Sequence, residues 1–313
     1  MSSGATSLPR ARRALRQTLW ITLVAALAYV GIRALPVDRG VLHYDDFGAG
    51  QPGALEFCEP GGPQFVPVDR VRSPVDMAVR AIGEGALSVG QAVRLSVRLT
   101  AASGKPVTAD DLLVVHTRKL HLLVIDPMLE DYQHLHPEPT DSPGEYAVEF
   151  TPRRSGEYRV FADFMPRATG RALYAGARLE VAGPAASSPG MAAATDETRV
   201  SVVDGYRFAL ELDRDPPRIN EVAELRLLVS DSTGAFTVLE EIMGAPAHVV
   251  AFDLGRTGFA HLHPTPAQAG EIVGATPLRF QLSLTDPGTY RLWAQVKIDG
   301  RELFAPFTVT VRP

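Results

Sequence analysis

KLHLLVIDPMLEDYQHLHPEP, residues 119–139, returns further along the chain as MGAPAHVVAFDLGRTGFAHLHP, residues 243–264. A constant offset of 127 carries His121, Asp126, His134, Leu135, His136 and Pro137 onto His248, Asp253, His261, Leu262, His263 and Pro264 without a gap. Each copy holds an apolar run, a turn rich in Pro, Asp or Gly, and a second run ending in His-x-His-Pro. That is the pattern of two strands joined as a hairpin.

The repetition extends outward from the hairpins. GEYRVFADF (156–164) aligns with GTYRLWAQV (288–296), and GRALYA (170–175) with GRELFA (300–305). MAVRAI (77–82) and AVRLSVRL (92–99) alternate apolar with polar residues, as half-buried strands do. EYAVEF (145–150), ARLEVA (177–182), RFALEL (207–212), AELRLLVS (223–230), LRFQLSL (278–284) and FTVTV (307–311) continue the pattern. No segment between them carries a helical repeat. The expected fold is all-β: two tandem immunoglobulin-like β-sandwich domains, over 73–182 and 198–313, after an N-terminal transmembrane helix. Residues 183–197 read as a linker and 36–72 as a stalk rich in Gly, Pro and Asp. Tyr158 and Tyr290, in the repeated Gly-x-Tyr element, have the placing of a tyrosine corner and read as structural.

Ahead of this body, Arg10, Arg12, Arg13 and Arg16 precede an apolar run from Leu19 to Ile32, closed by Arg33. A basic flank and an apolar run make a signal peptide or a signal anchor. Ala26-Leu27-Ala28 offers a cleavage site, but the run continues past it, which favours an uncleaved anchor over residues 1–35. The expectation is a single-pass protein of a bacterial inner membrane, with its C-terminal domains in the periplasm or outside.

A net charge of −5 and a pI near 5.9 exclude a nucleic-acid partner, which requires a basic face. The single cysteine, Cys58, excludes an intramolecular disulfide framework. It reads as a soft metal ligand, a site of intermolecular pairing or an inert thiol.

Of eight histidines, all but His43 fall in the two repeated units. His43 reads as a solvated stalk residue. Histidines at i and i+2 share one face of a strand, about 6.5–7 Å apart. A turn centred between residues 127 and 128 sets His121 opposite His134, and one centred a residue later sets it opposite His136. Both place His121, His134 and His136 on one side, and the repeat does the same with His248, His261 and His263. Three converging imidazoles are a ligand set for copper or zinc. His116 and Met243 occupy equivalent positions as fourth ligands, with Asp126 and Asp163 as further carboxylates. Asp163 gives way to Gln295 in the second copy.

These runs, with GEYAVEFTPRRSGEYRVFADFMPRATG (144–170), resemble YtkA-like and related exported bacterial domains. The resemblance covers residues 75–182 and 198–313. It implies a sandwich fold, export and an association with heavy-metal handling, copper above all. The expected function is a membrane-anchored periplasmic metal-binding protein acting as a copper buffer, chaperone or resistance factor. Its sites, on exposed strands, would exchange metal with a transporter or oxidase partner. The competing reading is a structural or interaction module of the cell envelope whose histidines are hydrogen-bonding groups. A copper oxidoreductase is a third. No nucleophile–base pair or phosphate loop is present, so the chain reads as no enzyme.

Overall fold

The computed structural model describes residues 8–34, 65–83, 85–184, 197–265 and 277–313. His43, Cys58 and most of the linker lie outside them. The basic and apolar N-terminal run forms α1 (Leu8–Ala34). No helix among the described residues is long and apolar enough to cross a membrane. This corrects the expected transmembrane anchor, and with it the inner-membrane attachment and the single-pass placement. The apolar stretch from Leu19 to Ile32 covers roughly 21 Å of helix at 1.5 Å per residue, against a hydrocarbon core of about 30 Å. Arginines close both ends and prevent its extension.

The first domain runs through β1 (Val75–Ile82), β2 (Val93–Ala101), β3 (Leu120–Ile125), β4 (Tyr132–Leu135), β5 (Glu138–Pro139), β6 (Glu145–Phe150), β7 (Gly156–Phe164) and β8 (Leu173–Val181). One sheet has the order β1-β2-β6-β5 and the other β4-β3-β7-β8. This division of eight strands is that of an immunoglobulin-like sandwich. Alternate residues of each strand fill the space between the sheets: Leu95, Val97 and Leu99 from β2 meet Leu120, Leu122 and Val124 from β3.

The second domain repeats the plan with β9 (Val200–Val203), β10 (Tyr206–Leu212), β11 (Ala223–Ser230), β12 (Ala247–Asp253), β13 (Phe259–Leu262), β14 (Leu278–Leu282), β15 (Gly288–Ile298) and β16 (Arg301–Val311). Its sheets have the orders β14-β11-β10-β9 and β13-β12-β15-β16. Tyr158 and Tyr290 do form corners: the Tyr290 hydroxyl donates to the Asp286 carbonyl four residues earlier at 2.8 Å, and the Tyr158 hydroxyl accepts from the Arg154 N–H at 3.1 Å while donating to the Asp131 carboxylate at 2.6 Å.

Both sandwiches belong to one compact unit. They meet through the outer faces of the β4-β3-β7-β8 and β13-β12-β15-β16 sheets. Leu123, Ile125, Tyr132 and Phe161 of the first domain form a separate apolar cluster with Val250, Phe252, Phe259 and Trp293 of the second. Consequently all six residues of β3 are buried, one set in the sandwich core and the other between the domains. The period-2 pattern vanishes in such a strand because neither face meets water.

The last residues of the expected stalk fasten this junction. Phe65 joins the core of the second domain, and Val66 exchanges backbone hydrogen bonds with Phe259 at 2.8 and 3.2 Å. A Cβ on Gly258 would stand 1.9 Å from the Val66 carbonyl oxygen, so only glycine admits the strap there. Asp69 then reaches Arg159 of the first domain at 2.6 Å.

Candidate metal centre

The histidines stand on the sheet faces that meet between the domains. In the β3–β4 hairpin Leu123 faces His134 and Leu122 faces Leu135. The next step of that register sets His136 across from His121, which selects the later of the two turn positions. The second hairpin pairs Val249 with Leu262 and Val250 with His261, so His263 follows across from His248. Leu129 and Arg256 turn the chain with φ of 60° and 51°.

Asp126 is consumed by this turn. Its carboxylate accepts from the backbone N–H groups of Met128, Glu130 and Asp131 at 3.1, 2.6 and 2.8 Å. Asp253 does the same for Thr257 and Gly258. Neither aspartate is placed as a ligand.

One ligand atom from each of His121, His134 and His136 lies within 4.8 Å of the others, and the same holds for His248, His261 and His263. The tautomers follow from what surrounds them. A backbone carbonyl only accepts, so His121 Nε2 donates to Val115 O at 3.0 Å and its Nδ1 carries a lone pair. His134 Nδ1 donates to Gln295 Oε1 at 2.9 Å, and the Gln295 amide nitrogen is held by Glu302 at 3.0 Å, which fixes the amide's orientation. His134 Nε2 is therefore also a lone pair, and it lies 3.2 Å from His121 Nδ1. Two acceptors aimed at one another satisfy nothing by themselves. Two imidazoles on one tetrahedral zinc, at about 2.0–2.1 Å each, stand about 3.3 Å apart.

The second triad repeats the arrangement. His248 Nε2 donates to Ile242 O at 3.0 Å, and His261 Nδ1 to Asp163 Oδ2 at 3.2 Å. His248 Nδ1, His261 Nε2 and, in the first triad, His136 Nε2 are buried without a hydrogen-bond partner. A histidine whose distal N–H is held by a carbonyl, an amide or a carboxylate is the form in which imidazole ligates metal.

Burial keeps these rings neutral. It pushes His136 and His248 down to about 3, and His134, His261 and His263 well below the ordinary range, with neighbouring imidazoles adding to the effect in most cases. Burial raises the Asp163 carboxyl, opposed by His121 and His116.

The distal partners cross between domains. His134 of the first is oriented by Gln295 of the second, and His261 of the second by Asp163 of the first. His116 crosses as well: its ring stacks on His263 at 3.7 Å and stands 6.4 Å from His121. The structure thus brings it to the second domain's triad rather than its own. Met243 sits in the matching loop with the matching positive φ, 52° against 48°. The two loops abut, a Cβ on Gly244 lying 3.7 Å from Thr117. The ligand strands are enclosed, not exposed, because the partner domain covers them. Sequence reasoning missed the Val115 and Ile242 carbonyls and the role of Gln295. The register of Asp163 opposite His121, and of Gln295 opposite His248, is the signal that marks the last.

A family model described as a domain of unknown function, DUF8832, matches residues 74–183 and again 201–313. No curated protein matches the chain. Among solved structures, the filamin domain of Lin-41 is 17% identical, covering 33% of this chain and 91% of its own, with a TM-score of 0.21. Invasin, a bacterial integrin-binding protein, is 14% identical over 74% of this chain and 39% of its own, at 0.22. Bovine butyrophilin is 13% identical over 77% of this chain and 100% of its own, at 0.21. The immunoglobulin-like class stands on the strand order of the paired sheets.

Proposed function

We propose that this chain, which belongs to the DUF8832 family through two matched copies, is a metal-binding protein that holds copper or zinc between its two domains. The observation that carries this is the pair of lone pairs on His121 Nδ1 and His134 Nε2, 3.2 Å apart, with both distal N–H groups donated elsewhere. The same donor set recurs in the second triad. The resemblance of the hairpins to YtkA-like domains favours copper.

Enclosure of the ligands favours a held ion over a labile one. Of the three roles, buffering or resistance therefore suits the site better than delivery as a chaperone. Hand-off to a transporter or oxidase would require the domains to part. The chain's role is binding, not catalysis.

One observation favours a structural reading. His121 and His248 each tie a loop carbonyl, Val115 and Ile242, to the sheet. The test is titration of the full chain with Cu(I), Cu(II) and Zn(II), beside a variant with His121, His134, His248 and His261 changed to alanine and its folding followed by circular dichroism. Binding by the parent that is lost in a folded variant supports the metal reading. No binding by the parent, with a destabilised variant, leaves the histidines as structural groups.

A further inference from the structure

We propose that the two triads form a single two-ion centre, filled in a fixed order with the triad of His248, His261 and His263 first. This rests on the metal reading above and concerns how many ions the site takes and how they influence each other.

Rings of different triads are about as close as rings of the same triad. Centroids stand 4.6–5.5 Å apart within the triads. Across the domain boundary they stand 5.1 Å for His134 and His261, 5.9 Å for His121 and His261, and 6.0 Å for His134 and His248. Donor sets whose rings stand this close would hold their ions as near neighbours, the arrangement of two-metal centres, where the ions lie about 3.5–4 Å apart. Six donors in two groups of three also suit two ions better than one, since zinc and copper take about four ligands. His248 is fully buried and its Nδ1 has no protein hydrogen-bond partner, so the second group offers a free donor atom of its own.

The order follows from the distal partners. Asp163 stands behind His261 where Gln295 stands behind His134. A carboxylate makes its imidazole a stronger donor than a neutral amide does. Asp163 also lies across from His121, so its charge serves both triads and the order rests on its hydrogen bond to His261. The first ion therefore settles in the second domain's triad.

Charge then governs the second ion. Neutral imidazoles cancel none of the ions' charge, and Coulomb repulsion scales with the product of the two charges. Two divalent ions repel four times as strongly as two monovalent ions at the same separation. The centre accordingly accepts a pair of Cu(I) ions more evenly than a pair of Zn(II) ions.

The test titrates the full chain with Cu(I), anaerobically against a competing chelator, and with Zn(II), counting ions by native mass spectrometry. Zn(II) is expected to bind in two steps separated by about 100-fold or more, and Cu(I) in two steps within about 10-fold of one another. Asp163→Asn is expected to weaken the first Zn(II) step by about 10–100-fold, the range seen for partners of metal-bound histidines, and so to narrow the gap. A single ion per chain for both metals overturns the two-ion centre and leaves the metal reading standing. Two steps with the same spacing for both metals overturn the coupling. No ion at all overturns both readings.

Discussion

At the scale of single residues, the decisive property is which nitrogen of each imidazole holds the proton. Val115 and Ile242 carbonyls take the Nε2–H of His121 and His248, while Gln295 and Asp163 take the Nδ1–H of His134 and His261. Gln295→Leu removes the acceptor for His134 and frees the ring to rotate. Metal affinity at the first triad is expected to drop about 10–100-fold, read by chelator competition on a variant whose unfolding transition remains cooperative. Unchanged affinity would mean that Gln295 orients nothing. The histidines themselves were readable in the sequence, because side chains two apart on a strand share a face whatever else happens. Gln295 was not, since its alignment with Asp163 shows equivalence but not that each reaches across to the other copy.

At the scale of elements, the hairpins set the geometry. The β3–β4 register places His134 and His136 on the same face as His121, and that face is specified by the turn at 126–129. Inserting one glycine between Met128 and Leu129 shifts β4 by one residue and moves both histidines to the face that packs on the sandwich core. The first triad is then broken, and stoichiometry is expected to fall to at most one ion. Two ions retained would show that this hairpin does not carry the ligands. The strands were legible from apolar runs between turn residues, but their surroundings were not. LHLLVI reads as a continuous apolar run, which marks burial on both faces without naming what covers the second face. The N-terminal element differs for another reason: a basic flank and an apolar run suggest a span, but the run is about a third too short for one.

At the scale of the whole molecule, packing seven histidines, three of them buried and four half-buried, between two domains couples stability to pH. His136 and His248 ordinarily titrate near 6.5 and are held to about 3 in the folded protein. Below about 6.5 the unfolded chain takes up protons that the folded one refuses, so stability is full above that value and falls as pH drops toward 3. Each such histidine contributes about 1.4 kcal/mol per pH unit once its unfolded form is protonated. Urea midpoints of the metal-free protein are expected to be flat from pH 8.5 to 7.5 and to fall from 6.5 to 5, above the range where carboxylates titrate. A flat profile through that window would mean the imidazoles are not shielded as the structure has them.

The reciprocity of the two crossing hydrogen bonds, His134 to Gln295 and His261 to Asp163, has a consequence for how such a molecule arises. When one surface meets its own copy and residue i touches j while j touches i, the contact is isologous, the kind that closes a homodimer. A lone domain of this design would meet a second copy through the same face, with identical residues on both sides. Joining the halves in one chain lifts that constraint. Aspartate and glutamine, or histidine and methionine, can then occupy sister positions, and a symmetric pocket becomes one with two distinguishable halves.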